Sequence, residues 1–404
     1  MLHRRTLLAT AATAGFIPAA PAILRAQELP GVTATEIRLG NTMPYSGPAS
    51  AYGTIGKAMA ARFKMANDEG GFAGRKVNFI SYDDGYSPPT TVEQTRRLVE
   101  EDKVAALFAP LGTAPNSAIV RYVNQKKVPH LFLATGADKW GNYQDFPWTI
   151  GWQPSYVTES QVYAKYILSQ KPDAKIGILY QNDDFGKDYL HGVRDVLKGN
   201  WDKQVTAVSY EVTDATIDSQ LVSLQSAGID VLMTVATPKF AAQSIRKVSE
   251  MKWKPMHVLT GVSVSVGAVM IPAGAENGIG IISSAYLKDP TDPTWDGDAG
   301  MKEWRSFMTK YYPEGDVKDA GNVASYGLTH TMLQVLKQCG NDFSRENMMK
   351  QATNLHDLEN PTVLPGIKLN TSPTNYHPIR QLQLMRWSGK GWDRFGDIIS
   401  GASA

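Results

Sequence analysis

The chain has 404 residues, of which 43% are hydrophobic and 20% charged, and its formal net charge is +2. This length is enough for two or three domains with substantial cores. The near-neutral charge argues against nucleic acid as a partner, and a single cysteine, Cys339, excludes both an intrachain disulfide and a thiolate zinc site.

Residues 1–26 have the composition of an export signal. A basic start with Arg4 and Arg5 precedes Ala/Thr/Leu-rich sequence, which is typical of a secretory signal with a twin-arginine character. Two prolines interrupt the apolar stretch, which falls short of the roughly 20 residues that span a bilayer, so we expect its removal and not a retained anchor. Cleavage is expected after Ala26 or, alternatively, after Ala22. Removal of the signal lowers the number of Lys and Arg residues from 41 to 38, against 39 Asp and Glu residues. Because the signal directs export, we expect the mature protein in the periplasm.

Strand and helix patterns alternate after the leader. Strands are predicted at 36–43 and 76–82, and helices at 51–68 and 87–98. The stretch 105–111 supplies a third strand. This alternation predicts a parallel doubly wound sheet, in which ligands bind outside the carboxyl ends of the strands.

Two turns that follow buried strands are candidate carboxylate sites. One strand leads to Gly112 and Thr113 and then to an amphipathic helix, and the next strand leads to Thr135 and Gly136. The first N–H groups of a helix lack partners and carry positive potential, so such a turn can hold a carboxylate without Lys or Arg. Adjacent parallel strands would direct both sets of donors to one point. Ordinary turns of an α/β protein have the same composition, and this alternative stays open.

A second unit of the same kind follows a break at 148–155. Its strands are predicted at 175–180, 204–210, 230–236 and 257–260. One more strand, at 277–285, precedes two helices that could return to the first unit. These helices are predicted at 301–312 and 322–338. From residue 366 the pattern predicts antiparallel strands without helices, with a turn at 392–395.

Four motifs together resemble one family. They are Pro44-Tyr-Ser-Gly-Pro48, Asn67-Asp-Glu-Gly-Gly71, Tyr82-Asp-Asp84 and Gln181-Asn-Asp-Asp-Phe-Gly186. Over essentially the whole mature chain they resemble the branched-chain amino acid class of periplasmic solute-binding proteins of ABC transporters. The resemblance implies an α/β fold of two doubly wound parallel-sheet lobes joined by three crossovers. It also implies a monomer without cofactor that closes on a small-molecule carboxylate and delivers it to an inner-membrane ABC permease.

The resemblance divides the chain between two lobes. The N-terminal lobe is expected at 27–152 plus 276–368, and the C-terminal lobe at 153–275 plus 369–404. The crossovers are expected near 151–154, 272–277 and 365–372.

The same resemblance identifies the residues that should line the cleft. The carboxylate-binding turns correspond to residues 111–113 and 134–136, and aromatic side chains should form the apolar walls. Tyr45 and Trp152 are added as wall residues because of their position after strand ends. The complete set is Tyr45, Tyr52, Leu111, Gly112, Thr113, Ala134, Thr135, Gly136, Trp152, Phe185, Thr237, Gly261 and Val262.

One departure from the family bears on the ligand. Amino-acid binders hold the ligand's ammonium group with an acid after the strand at 257–260, but here the matching residues are Gly261-Val262-Ser263. Burying an ammonium without a counter-charge costs several kcal/mol. We therefore expect a hydrophobic or aromatic monocarboxylate of the benzoate or phenylpropenoate type. The alternative is a branched-chain or other hydrophobic amino acid, or a sensory role. An acid from another loop would favour the amino acid, and the candidates are Asp183, Asp184 and Asp214.

Metal and catalytic chemistry are not favoured. Residues 292–303 nearly fit a calcium loop, with Gly297 sixth and Glu303 twelfth, but a strand and not a helix precedes them. The pairs Asp83-Asp84 and Asp183-Asp184 have no visible acid/base partner. Nucleophile elbow, zinc-protease and Walker motifs are absent from the sequence. We therefore expect a binding protein and not an enzyme.

Overall fold

The computed structural model describes residues 29–401, so the predicted export signal lies outside the described residues. Within these residues the strands form two sheets, one of four strands and one of seven. Helices connect the strands and cover the sheets, as parallel strands require because they are buried on both faces. The predicted α/β architecture with two parallel-sheet lobes is confirmed. Among the helices of residues 29–401, none has both the length and the apolar character needed to cross a membrane.

The first sheet consists of four parallel strands. They are β1 (Glu36–Met43), β2 (Lys76–Asp83), β3 (Ala106–Phe108) and β4 (His130–Leu131), in the order β2-β1-β3-β4. Helices α1 (Gly53–Asp68), α2 (Pro88–Arg96) and α3 (Thr113–Gln125) follow the first three strands. Strand β1 lies inside the sheet, where Ile37 and Leu39 are fully buried.

The second sheet begins with five parallel strands. They are β5 (Ile176–Gln181), β6 (Val205–Tyr210), β7 (Val231–Val235), β8 (Met256–Leu259) and β9 (Ile282–Ala285). The associated helices are α4 (Tyr156–Gln170), α5 (Asp184–Leu197), α6 (Trp201–Gln204), α7 (Asp218–Ser226) and α8 (Pro238–Glu250). Strands β10 (Gln381–Trp387) and β11 (Trp392–Ser400) add an antiparallel edge. The order across the sheet is β11-β10-β9-β8-β7-β5-β6.

Three further helices lie between β9 and β10 in the chain. They are α9 (Ala299–Tyr311), α10 (Ala320–Gln338) and α11 (Arg345–Ala352). Their buried side chains Trp304, Met332 and Met348 share one apolar core with Ile37 of the first sheet. Helix α11 was not predicted, although Ser344 caps it, and Trp392 begins strand β11 where a turn was expected.

Strand pairing and core packing show where the chain passes between the lobes. Trp152 packs in the first core and α4 begins at Tyr156 in the second, so the first crossing lies between them. Strand β9 pairs with β8 and β10, so the crossing expected near 272–277 comes only after Ala285. Ile379 still packs in the first core, so the crossing expected near 365–372 also comes later. We propose lobes of 29–152 plus 287–379 and of 153–286 plus 380–401.

Candidate ligand-binding site

A cavity of about 150 Å³ lies between the two lobes at the carboxyl ends of several parallel strands. An apolar cavity of this volume is large enough to take up benzene. Ten of the thirteen residues predicted from the sequence line it. They are Tyr52, Leu111, Gly112, Thr113, Ala134, Trp152, Phe185, Thr237, Gly261 and Val262. Tyr45, Thr135 and Gly136 do not line the cavity.

The start of helix α3 provides hydrogen-bond donors at the cavity. Gly112 takes φ 99° and ψ 144°, and helix α3 begins at the next residue. Within the described residues, the N–H groups of Thr113 and Ala114 have no hydrogen-bond partner, and Pro115 has no N–H. The helix dipole adds positive potential at the same point. The first predicted turn therefore has the properties of a carboxylate site.

The second predicted turn reaches the cavity only at Ala134, and its residues Thr135 and Gly136 lie behind the first turn. The Thr135 hydroxyl lies 2.6 Å from the Thr113 hydroxyl, so it fixes the orientation of that side chain from behind. Gly136 accepts the N–H of Tyr156 at 2.8 Å, and a Cβ at Gly136 would lie 2.8 Å from the Tyr156 ring. The ring of Tyr156 covers this turn and lines the cavity in its place. That both turns hold one carboxylate stays a prediction, and of the second turn only Ala134 is placed at the cavity.

Tyr45 lies outside the cavity because it packs within the first lobe. Its hydroxyl is 2.6 Å from Ser81 Oγ, and its ring lies against Gly56, where an added Cβ would approach within 2.2 Å of the hydroxyl oxygen. Tyr86 lines the cavity and was missed by sequence analysis. Its backbone is left-handed, with φ 60°, and this turns the side chain toward the cleft.

Aromatic side chains from both lobes make the cavity largely apolar. Phe185 and Tyr156 line the cavity with tilted rings whose centroids are 4.9 Å apart, and Tyr189 packs behind Tyr156 at 5.5 Å. Trp152 packs edge-on against Tyr286 at 5.8 Å. Burial raises the pKa of the Tyr156 hydroxyl, so this group remains neutral. Such walls suit the hydrophobic body of a small acid.

The lobes meet through contacts on two sides of the cavity. On one side, the Tyr52 hydroxyl donates to the Val262 carbonyl at 3.1 Å. On the other side, Lys139 Nζ lies 2.7 Å from Asp184 Oδ2, and the Asp138 N–H donates to Asp188 at 2.8 Å. Both sets of contacts join residues of one proposed lobe to residues of the other.

Acidic side chains do reach the cavity, but none of the three suggested by the sequence lines it. Asp289 and Asp319 line the wall. Asp319 accepts from the Ser265 hydroxyl at 2.8 Å and from the Gly321 N–H at 2.9 Å. One oxygen of Asp289 accepts from Thr291, whereas its other oxygen is buried without a partner among residues 29–401. Burial raises the pKa of both aspartates.

The other acidic motifs have structural roles. Asp83 accepts backbone N–H groups in the loop after β2, and Asp183 caps helix α5. In the predicted calcium loop, Asp292 caps a short turn and Asp298 forms an ion pair with Lys288 at 2.8 Å. Within residues 29–401, no group of three or more His, Cys, Asp or Glu side chains is arranged to hold a metal ion.

The contacts between the lobes give a pH-dependent prediction. Burial raises the pKa of Asp188 to about 7. Since the ordinary Asp pKa is about 3.9, the folded protein binds this proton more tightly than the unfolded chain, so ionised Asp188 destabilises the fold at pH 8. The penalty shrinks as the pH falls through about 7 toward 4. We expect Asp188→Asn to raise the free energy of unfolding by about 1–3 kcal/mol at pH 8 and by less at pH 5, measured by urea denaturation.

Asp184 provides a control of opposite sign. Its hydrogen bond with Lys139 lowers its pKa, so its ionised form stabilises the fold at neutral pH. We expect Asp184→Asn to lower the free energy of unfolding at pH 8, with a loss that disappears as the pH falls toward 3. The same pH dependence for both variants would contradict the assignment of Asp188.

Comparisons with known proteins agree with this architecture. The sequence matches the family model described as periplasmic binding protein over residues 36–392. It is 22% identical over 363 residues to the Leu/Ile/Val-binding protein homolog 7 of Brucella suis biovar 1 (strain 1330), covering 87% of this chain and 89% of that relative.

Two solved structures share the fold at low sequence identity. One is a branched-chain amino acid ABC transporter protein from Thermus thermophilus with bound valine, with a TM-score of 0.82 and 14% identity over 92% of this chain and 98% of that chain. The other is a fatty acid ABC transporter substrate-binding protein from Thermomonospora curvata. Its TM-score is 0.78, with 18% identity over 93% of this chain and 95% of that chain. The first of these proteins is named for branched-chain amino acids and the second for fatty acids.

Proposed function

Because the chain belongs to the periplasmic binding protein family, we propose that it captures a small hydrophobic carboxylic acid outside the cytoplasm for an ABC uptake system. One observation carries this proposal. The unpartnered N–H groups of Thr113 and Ala114 begin helix α3 at the wall of a largely apolar cavity. A carboxylate satisfies such donors, and the aromatic walls remove the hydrophobic body of the ligand from water.

Two ligand classes fit this description. The sequence favours an aromatic monocarboxylate, because residues 261–263 offer no acid to balance an ammonium group. Asp289 and Asp319 line the cavity, which removes the basis of that preference. The names of the relatives also include leucine, isoleucine and valine binding. We therefore favour a branched-chain or other hydrophobic amino acid, with an aromatic monocarboxylate as the second candidate.

The family also supports the remaining parts of the proposal. Its members bind small molecules and work with ABC permeases, so we propose an inner-membrane ABC permease as the partner and the periplasm as the location. A monomer is sufficient, because a single chain supplies both walls of the cavity.

Binding without chemical conversion is tested by incubating the protein with a panel of acids and following both its melting temperature and product formation. Turnover of any panel member would reject this function.

Thr113→Val tests the position of the carboxylate. The Thr113 hydroxyl is buried beside the unpartnered amides, and valine keeps its shape without the donor. Losing one charge-assisted hydrogen bond costs about 1.5–3 kcal/mol, so we expect about a ten-fold to a hundred-fold weaker binding by isothermal titration calorimetry. Thr329→Val is the matched control, since this buried threonine bonds within helix α10 away from the cavity. Unchanged affinity in Thr113→Val would mean that the carboxylate binds elsewhere.

A further inference from the structure

Glu159 is a buried carboxylate behind the cavity wall. It lies on helix α4 and is 5% exposed. It accepts four hydrogen bonds: from the Gly261 N–H at 2.7 Å, from Ser284 Oγ at 3.0 Å, and from the hydroxyls of Tyr189 and Tyr163. None of the ion pairs formed by residues 29–401 includes Glu159. An acidic side chain is thus held in place by neutral donors with no protein cation opposite it.

The carboxylate of Glu159 fits where it does because residue 261 is a glycine. A Cβ at Gly261 would lie 2.8 Å from Glu159 Oε1, so the carboxylate occupies the space that a side chain at this position would enter. Gly261 is also the first of the residues that match the acid of amino-acid binders. Because Gly261 has no side chain, the carboxylate of Glu159 from helix α4 occupies the space beside it.

Ser284 connects this carboxylate to the cavity. Ser284 and Gly261 both line the cavity, so Glu159 lies one residue layer behind the wall. The Ser284 hydroxyl donates to Glu159 and also lies 2.9 Å from the Tyr163 hydroxyl. Because a hydroxyl oxygen has two lone pairs, at least one remains to accept an N–H from a ligand. The start of α3 brings positive electrostatic potential to one part of this cavity wall. The part of the wall formed by Gly261 has the Glu159 carboxylate directly behind it. A ligand with a carboxylate at one end and a cationic nitrogen near it matches this polarity.

We propose that Glu159 is the specificity-determining counter-charge for the ligand's ammonium group, acting through Ser284, so that the ligand is a hydrophobic α-amino acid. This inference rests on the proposed function, because it assumes that the ligand carboxylate binds at the start of α3. Asp289 is the competing acid: it lines the cavity and has one oxygen without a partner. Asp319 is committed to capping helix α10.

Matched ligands separate the ammonium from the rest of the molecule. Leucine is compared with 4-methylpentanoate, and phenylalanine with 3-phenylpropanoate, by isothermal titration calorimetry on the mature protein. We expect the wild-type protein to bind the amino acid more tightly in each pair. Tighter binding of both deaminated acids would overturn the inference and leave the proposed function standing. Binding of neither member of either pair would contradict the proposed function itself.

Glu159→Gln removes the charge and keeps the shape. We expect it to weaken binding of the amino acids about ten-fold to a hundred-fold and to leave the deaminated acids within about three-fold of the wild-type affinity. An equal loss for both members of a pair would assign Glu159 a structural role only and overturn the inference. Asp289→Asn is the comparison variant. If it removes the preference for amino acids and Glu159→Gln does not, Asp289 is the counter-charge and the inference is wrong.

Ser284→Ala keeps the experiment decisive if Glu159→Gln does not fold. It removes the relay to the cavity, while Glu159 keeps its bonds to the Gly261 N–H and to Tyr189. We expect amino acids to lose about ten-fold in affinity and deaminated acids to be unaffected. Unchanged selectivity in a folded Ser284→Ala protein would overturn the inference. Circular dichroism and melting temperature establish folding for each variant.

Discussion

Replacing Gly112 with alanine is expected to weaken ligand binding more than a hundred-fold. Gly112 has φ 99°, a conformation that costs any other residue about 1–3 kcal/mol. An added Cβ would also lie 2.5 Å from the Tyr86 ring and 3.1 Å from Pro115. Either the ring or the start of α3 must move, and both belong to the cavity wall. A hundred-fold loss of affinity corresponds to about 2.8 kcal/mol. The cost of displacing the cavity wall and the loss of well-aligned amide donors together account for a change of this size.

The measurement is titration calorimetry with the tightest ligand found in the panel. Gly199→Ala is a suitable control, since a Cβ at Gly199 meets nothing within 4 Å and its backbone is not left-handed. We expect the control to retain wild-type affinity. If Gly112→Ala binds within ten-fold of the wild type, the amides of Thr113 and Ala114 do not hold the carboxylate, and the ligand must be anchored elsewhere.

The sequence is informative where structure is determined by neighbours in the chain. Strand β1 ends at the residues predicted from its apolar run and the following Pro-rich loop, and helix α10 was expected within a few residues of its limits. Gly112 and Thr113 were identified because a tight turn between a buried strand and a helix needs a glycine, followed by a residue that starts the helix. These signals are local, so one sequence is enough to find them.

Side-chain direction was less predictable because it depends on contacts made across the fold. Tyr45 and Tyr86 both follow strand ends, and only Tyr86 lines the cavity. Tyr45 fills the space left open by Gly56 of helix α1, and no local sequence pattern indicates this contact. The side chain of Tyr86 is directed by the positive φ of its backbone. Tyr156 was missed for a related reason: it covers the Gly136 turn only after the chain has crossed to the second lobe.

With the lobes proposed above, the second and third crossings come later in the chain than the sequence predicted, for the same physical reason. Strand β9 and the segment up to Ile379 are assigned by pairing and packing with residues far away in the chain. Glu159 did leave a signal in the sequence. It lies four residues before Tyr163 and therefore on the same face of helix α4, which is the buried face. An acid on an apolar helix face needs hydrogen-bond partners, so a polar residue in that position is a signal that the sequence does contain.

Replacing Trp152 with alanine is expected to lower the free energy of unfolding by about 3–5 kcal/mol and also to weaken binding. Trp152 is 1% exposed, and its Nε1 donates to Thr331 Oγ1 at 2.9 Å. It lies at the first crossing between the lobes and lines the cavity. Its loss removes packing from the core of the first lobe and part of the apolar wall that holds the ligand. Urea denaturation measures the first effect and titration calorimetry the second.

Trp304→Ala separates the two effects of Trp152→Ala. Trp304 is fully buried in the same core, and its Nε1 donates to the Asn322 carbonyl at 3.2 Å, but it does not line the cavity. We expect a similar loss of stability and unchanged affinity at a temperature where both variants are folded. In Trp152→Ala the affinity should fall about ten-fold or more for leucine and less for phenylalanine, because the larger side chain fills part of the new space. Equal affinity losses in both tryptophan variants would show that binding follows overall stability and not the cavity wall.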